Sequence, residues 1–142
     1  MARYIGIDYG EKRVGVAISD PSLTIAQPLT TIRFQSKKQL IKELREIVHT
    51  HSAEKIVLGL PITMKGTDSQ KTVQVRAFAE ELSRAIGVPV HLMDERLTSV
   101  QAHQTMQQMG KQPSRHRARV DQLAAQYILQ TFLDREKNLR NL

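Results

Sequence analysis

The sequence predicts an α/β fold: a mixed five-stranded sheet, a three-strand antiparallel meander plus two parallel strands, with helices on both faces. Three observations carry this expectation. Short apolar runs separated by turn residues fill the first part of the chain. The hydrophobic spacing then changes to the helical period, and from there strand-like and helix-like segments alternate. A length of 142 residues suits one domain over 1–142, and 40% hydrophobic with 25% charged residues can bury a core.

Tyr4–Asp8 and Arg13–Ser19 flank the turn-rich Tyr9-Gly10-Glu11-Lys12 and should pair antiparallel. A third strand fits Ile25–Phe34. Leu40, Ile41, Leu44, Ile47 and Val48 recur at helical spacing, which predicts an amphipathic helix over Lys37–His51. Lys55–Leu58 reads as a buried strand stopped by Gly59-Leu60-Pro61. Asp68 or Ser69 can cap a second helix, with Val75, Phe78, Leu82, Ala85 and Ile86 facing inward and Gly87 ending it. Val88–Met93 is the fifth strand. Thr98 and Gln101 form a capping-box pattern for a short third helix to about Met109, and a last helix covers about Arg119–Glu136.

Composition narrows the function. The chain has no cysteine, which excludes disulfide frameworks, thiol nucleophiles and cysteine-bound zinc. No apolar run approaches the length of a membrane span, and the first residues do not resemble a secretory signal, so a soluble cytoplasmic protein is expected. Lys and Arg total 21 against 14 Asp and Glu, a net charge of +7 that favours polyanionic partners. Between Glu95 and Asp121 there is no acid, while Arg96, Lys111, Arg115, Arg117 and Arg119 fall in or beside that interval as candidate phosphate contacts.

Asp121 is the most informative residue. On a helical wheel it falls within the apolar arc of Val120, Leu123, Ala124, Ala125, Tyr127, Ile128 and Phe132. A carboxylate on that face costs several kcal/mol unless a cation, donor or metal compensates it. A helix-start position returns only about 0.3–1 kcal/mol. A surface pair with Arg117 or Arg119 is the alternative explanation. Ala124 and Ala125 are small enough for this end of the helix to lie close against the sheet. Asp8 follows the first strand and Asp94-Glu95 the fifth, and in open α/β sheets sites gather beyond the carboxyl ends of parallel strands. Carboxylates brought together there repel and take up protons unless divalent cations lie between them. Mg²⁺ or Mn²⁺ accepts hard oxygen ligands, and a pair of such ions can activate water and stabilise the leaving oxygen of a phosphodiester.

The run Asp8-Tyr9-Gly10-Glu11-Lys12-Arg13-Val14-Gly15-Val16-Ala17 resembles the opening of the YqgF/RuvX family, with its DxGxKRxGVA pattern. Gly59-Leu60-Pro61 with Met64 and Gly66-Thr67, then Asp94-Glu95-Arg96-Leu97-Thr98, then Asp121-Gln122-Leu123-Ala124-Ala125 follow the family's later motifs in order. The resemblance covers nearly the whole chain. It implies an RNase H-like fold akin to RuvC-type Holliday-junction resolvases, and a bacterial cytoplasmic nuclease maturing the 5′ end of pre-16S ribosomal RNA. It also implies an acidic site of Asp8, Asp121 and the acid of the Asp94-Glu95 pair. Glu95 is preferred, although strand alternation leaves the choice open and Asp94 stays a possible metal ligand. Gln101 and Lys65 depart from residues frequent in relatives, which makes fine substrate preference less transferable.

The expected catalytic set is therefore Asp8, Glu95 and Asp121, holding Mg²⁺ or Mn²⁺, on structured RNA. Resolution of branched DNA by a homodimer and non-catalytic binding to ribosomal RNA are the alternatives. No GxxxxGK[ST] or GxGxxG pattern supports a nucleotide site. His49 and His51 suit a helix end better than a metal. Tyr9 either stacks on a base or packs under its loop.

Overall fold

The computed structural model describes residues 2–97 and 117–140. Strands β1 (Arg3–Asp8), β2 (Arg13–Ser19) and β3 (Ala26–Arg33) precede helix α1 (Lys37–His51). Then come β4 (Ala53–Leu60), α2 (Gln70–Ile86), β5 (Val90–Asp94), a 3₁₀ turn (Glu95–Leu97) and α3 (Arg117–Arg140). The sheet order is β3-β2-β1-β4-β5, with β1–β2 and β2–β3 antiparallel and β1–β4 and β4–β5 parallel. The expected third helix, with its Thr98 and Gln101 cap, lies outside the described residues.

Local chemistry accounts for the element ends. Ser36 caps α1, accepting from the Gln39 backbone N–H, and Ser52 closes it in the left-handed conformation. Ser69, not Asp68, caps α2. Its side chain accepts from the Thr72 N–H while the Thr72 hydroxyl accepts from the Ser69 N–H, a reciprocal capping box. Asp68 instead pairs with Arg76. Ala85 is exposed rather than inward-facing, and Ala79 takes its place in the core. β4 runs through Gly59 and Leu60, which pair with Met93 and Asp94.

Alternation along the strands creates two unlike faces. Ile5, Ile7, Val14, Val16, Ile56, Leu58 and Leu60 face α1 and α2, meeting Leu40, Leu44, Val75, Phe78 and Leu82 in the larger core. Tyr4, Ala17, Val57 and Met93 face α3, meeting Ala125, Ile128, Leu129 and Leu133. Tyr9 turns into the larger core, stacked on Phe78 with ring centroids 4.3 Å apart, so packing under the loop is its role. At the far end of α3, Lys55 pairs with Glu136 at 3.1 Å and lies 4.7 Å from the centre of the Tyr4 ring. Among the described residues no helix is long and apolar enough to cross a membrane.

Candidate active site

Asp8 is the last residue of β1, the central strand. By alternation with Ile5 and Ile7, which enter the larger core, its side chain shares the α3 face with Tyr4. Its cross-strand partner is Gly15 on β2. A Cβ built on Gly15 would stand 1.9 Å from the backbone oxygen of Asp121, so the first turns of α3 rest directly on β2. Only a residue without a side chain permits that approach, and the approach carries Asp121 to the Asp8 side of the sheet.

The opposite flank repeats the device. The parallel ladder reaches Ile7–Leu58, and Gly59 is the next residue of β4. A Cβ on Gly59 would stand 2.9 Å from Oε1 of Glu95. The carboxylate of Glu95 thus folds back from the 3₁₀ turn over Gly59, against which the end of Ile128 also packs. Two glycines, one on each side of Asp8, form the floor over which Glu95 and Asp121 approach it. Asp8, Glu95 and Asp121, expected from sequence as one site, therefore lie on one face at one end of the sheet.

The electrostatics record their proximity. Burial, then the charge of Glu95, then that of Asp121 push the Asp8 carboxyl up to about 7, against an opposing pull from Lys71. Glu95 is raised by burial, is pulled down by Lys71 and is pushed up by Asp94. Asp121 is raised by burial and opposed by Arg13, whose Nε donates to Asp121 Oδ2 at 2.8 Å, and by Lys71. Lys71, in the first turn of α2, is the cation whose charge reaches all three acids. The acids are neighbours rather than a closed cage: among the described residues, no three of Asp, Glu or His form a ready-made metal-binding cluster.

Asp94 is turned away. Met93 enters the α3-side core, so Asp94 alternates to the α2 side of the sheet. There Arg96 holds it, with the backbone N–H at 2.9 Å and Nη2 at 2.7 Å, and keeps its pKa low. Of the expected phosphate contacts, Arg96 is thus engaged by Asp94 and still exposed, and Arg119 is exposed near the start of α3. Arg117 lies in α3, and Lys111 and Arg115 lie outside the described residues.

Two charged residues at this site were not anticipated. Asp121 finds a cation in Arg13, remote in sequence, at 2.8 Å. A signal for Arg13 existed, because alternation along β2 puts it on the face of Gly15, next to Asp8. Lys71 carries no comparable signal; the packing of α2 alone brings it near.

A β3-β2-β1-β4-β5 sheet with acids at the end of its central strand and on the covering helix defines an RNase H-like nuclease architecture. The protein belongs to the RuvX family, described as Holliday junction resolvases, the match spanning residues 2–135. Relatives named "Putative pre-16S rRNA nuclease" include one from Caldanaerobacter subterraneus subsp. tengcongensis, 44% identical over 138 residues, covering 96% of this chain and 99% of its own. Another, from Chloroflexus aurantiacus, is 41% identical over 137 residues, covering 96% of this chain and 90% of its own. In fold the chain is similar to Thermus thermophilus RuvC in complex with a Holliday junction substrate. That likeness has a TM-score of 0.63 at 15% identity and covers 96% of this chain and 97% of the other. Fowlpox virus resolvase bound to Holliday junction DNA gives 0.55 at 10% identity, covering 94% and 98%. The protein is a nuclease.

Proposed function

We propose that the protein hydrolyses phosphodiester bonds at the 5′ end of the 16S ribosomal RNA precursor, in the cytoplasm, with Asp8, Glu95 and Asp121 as its catalytic acids holding Mg²⁺ or Mn²⁺. The observation that carries this reading is the crowding of Glu95 and Asp121 toward a central Asp8 whose carboxyl is pushed up to about 7. Such a group gives up its proton when a cation arrives, which is the electrostatic signature of a site awaiting positive charge. The donor set fits: carboxylate oxygens are the ligands Mg²⁺ prefers, and because that ion keeps several waters and accepts substrate phosphate, no closed protein cage is required. Bound there, divalent ions supply an activated water and stabilise the leaving oxygen.

The protein's own residues do the rest. Arg13 fixes the orientation of Asp121, and Lys71 moderates the repulsion among the acids. Gly15 and Gly59 let Asp121 and Glu95 approach the sheet beside Asp8. Asp94, engaged by Arg96, stands outside the ligand set and positions the arginine as a candidate phosphate contact. The name carried by relatives at about 40% identity directs the choice of substrate toward precursor ribosomal RNA. The family's own description favours a second reading, the cutting of branched DNA by a homodimer.

Parallel cleavage assays of precursor 16S RNA and a four-way DNA junction separate these readings. With Mg²⁺ or Mn²⁺ the wild type is expected to cut the RNA. Asp8→Asn and Asp121→Asn should lose at least about a thousandfold in rate while still binding, and EDTA should abolish cutting. Junction cutting alone would favour the second reading. Binding without cleavage of either substrate would make the protein a non-catalytic RNA binder.

A further inference from the structure

One groove beside the acids shares only Arg13 with the chemistry above. It is a cavity of about 520 Å³ lined by Glu11, Lys12, Arg13, Thr31, Arg33 and Phe34, where the turn after β1 meets the end of β3. Three of its side chains are cations and one is an acid. Arg13 and Arg33 are direct cross-strand partners in the β2–β3 ladder. Like charges in that relation oppose pairing. Arg13 is partly neutralised by Asp121, at 2.8 Å, whereas among the described residues neither Arg33 nor Lys12 has a carboxylate partner. The sheet therefore holds unbalanced positive charge in a concave pocket, and the side chain that bridges pocket and acids is Arg13.

We propose that this groove is a phosphate subsite: Lys12, Arg13 and Arg33 grip a backbone phosphate of the strand being cut, adjacent to the scissile linkage bound at Asp8. An anion between Arg13 and Arg33 would relieve their repulsion, and guanidinium forks match phosphate oxygens in geometry as well as charge. The subsite lies on the β2–β3 side of the acids, on the sheet face that carries Asp8 and Asp121, whereas Arg96 is held with Asp94 toward α2. A strand crossing the α3 face at Asp8 would thus meet these cations on one side of the reacting bond. That grip fixes the register of the strand over the carboxylates. This inference rests on the nuclease reading of the acidic site.

The test measures binding in the Asp8→Asn background, so that it reads out even if the cleavage mechanism is wrong. A fluorescent single-stranded RNA spanning the precursor cleavage sequence is titrated across a range of salt. A parallel set carries one neutral methylphosphonate at each position in turn. Adding Arg33→Ala or Lys12→Ala should weaken binding about tenfold at low salt. Each should flatten the slope of log affinity against log salt by about 0.7 per lost contact. A methylphosphonate close to the scissile position should weaken the parent protein and have no further effect once Arg33 is removed. Lys38→Ala, on the exposed side of α1, should leave slope and pattern unchanged. An Arg33→Glu protein that melts like its parent and keeps both its salt slope and its methylphosphonate profile would overturn the subsite. Failure of the wild type to cut any nucleic acid would overturn the catalytic reading and leave the subsite result standing.

Discussion

The two faces of the sheet are built to opposite specifications. Toward α1 and α2 the strands present Ile5, Ile7, Val14, Val16, Ile56 and Leu58, all fully buried, against large side chains such as Leu44 and Phe78. Toward α3 they present Gly15, Ala17, Val57 and Gly59, and the helix replies with Ala125. One face maximises buried apolar area and thereby stability. The other minimises the distance between backbones, so that carboxylates on separate elements can share one small space. The proposed nuclease site sits where the sheet was kept thin.

The comparison can be broken most forcefully on the thick face. Leu44→Ala leaves a cavity in the larger core and should cost about 2–5 kcal/mol in a urea unfolding measurement. Cleavage per folded molecule should stay unchanged, and a specific loss of turnover would deny the separation of roles.

The next largest effect tests the thin face through pH. The Asp8 carboxyl sits at about 7 in the folded protein against 3.8 when unperturbed. Between those values the folded state keeps a proton that the unfolded chain has released, so stability falls as pH rises from about 4 to about 7 and levels off above. Asp8→Asn removes this dependence. In EDTA it should be no more stable than wild type at pH 4 and more stable at pH 8, by on the order of 3 kcal/mol. Parallel stability profiles for the two proteins would show that Asp8 is not strained by its neighbours.

The smallest energetic effect should have a large functional one. Gly15→Ala drives a methyl into the backbone of α3 at Asp121 and should cost about 1–3 kcal/mol, as overpacking does. Because it lifts Asp121 off the sheet, it should also reduce cleavage on the order of a hundredfold, as small misplacements of reacting groups do. Mg²⁺-dependent turnover measured alongside thermal melts would separate the two consequences. A stable variant with full activity would show that close approach at Gly15 is not needed.

Much of this was legible in the chain. The bounds of α1 over Lys37–His51 follow from the spacing of Leu40, Ile41, Leu44, Ile47 and Val48. Gly87 ends α2 in the left-handed conformation, as a terminal glycine should. Strand edges were less readable. Gly59 looks like a stop signal, yet β4 continues through it, and the ends of Ile128 and Glu95 lie against the glycine there. Helix α3 is already formed at Arg117, ahead of its apolar pattern, and among the described residues runs on to Arg140, past the buried Leu133. The apolar arc of α3 identified Asp121 as a misplaced charge but could not name its partner, since Arg13 lies more than a hundred residues away and only the docking of α3 joins them.

Periodicity, capping residues and the placing of acids at strand ends were determined by the sequence itself, because each depends on residues within a few positions of one another. It also determined the family, whose motifs are likewise local. Only tertiary structure decided which of Asp94 and Glu95 faces α3, which cations temper the acids, and why glycines stand at positions 15 and 59. Those are distances between segments remote in the chain, and they exist only once burial of two dissimilar cores has pressed the helices onto the sheet.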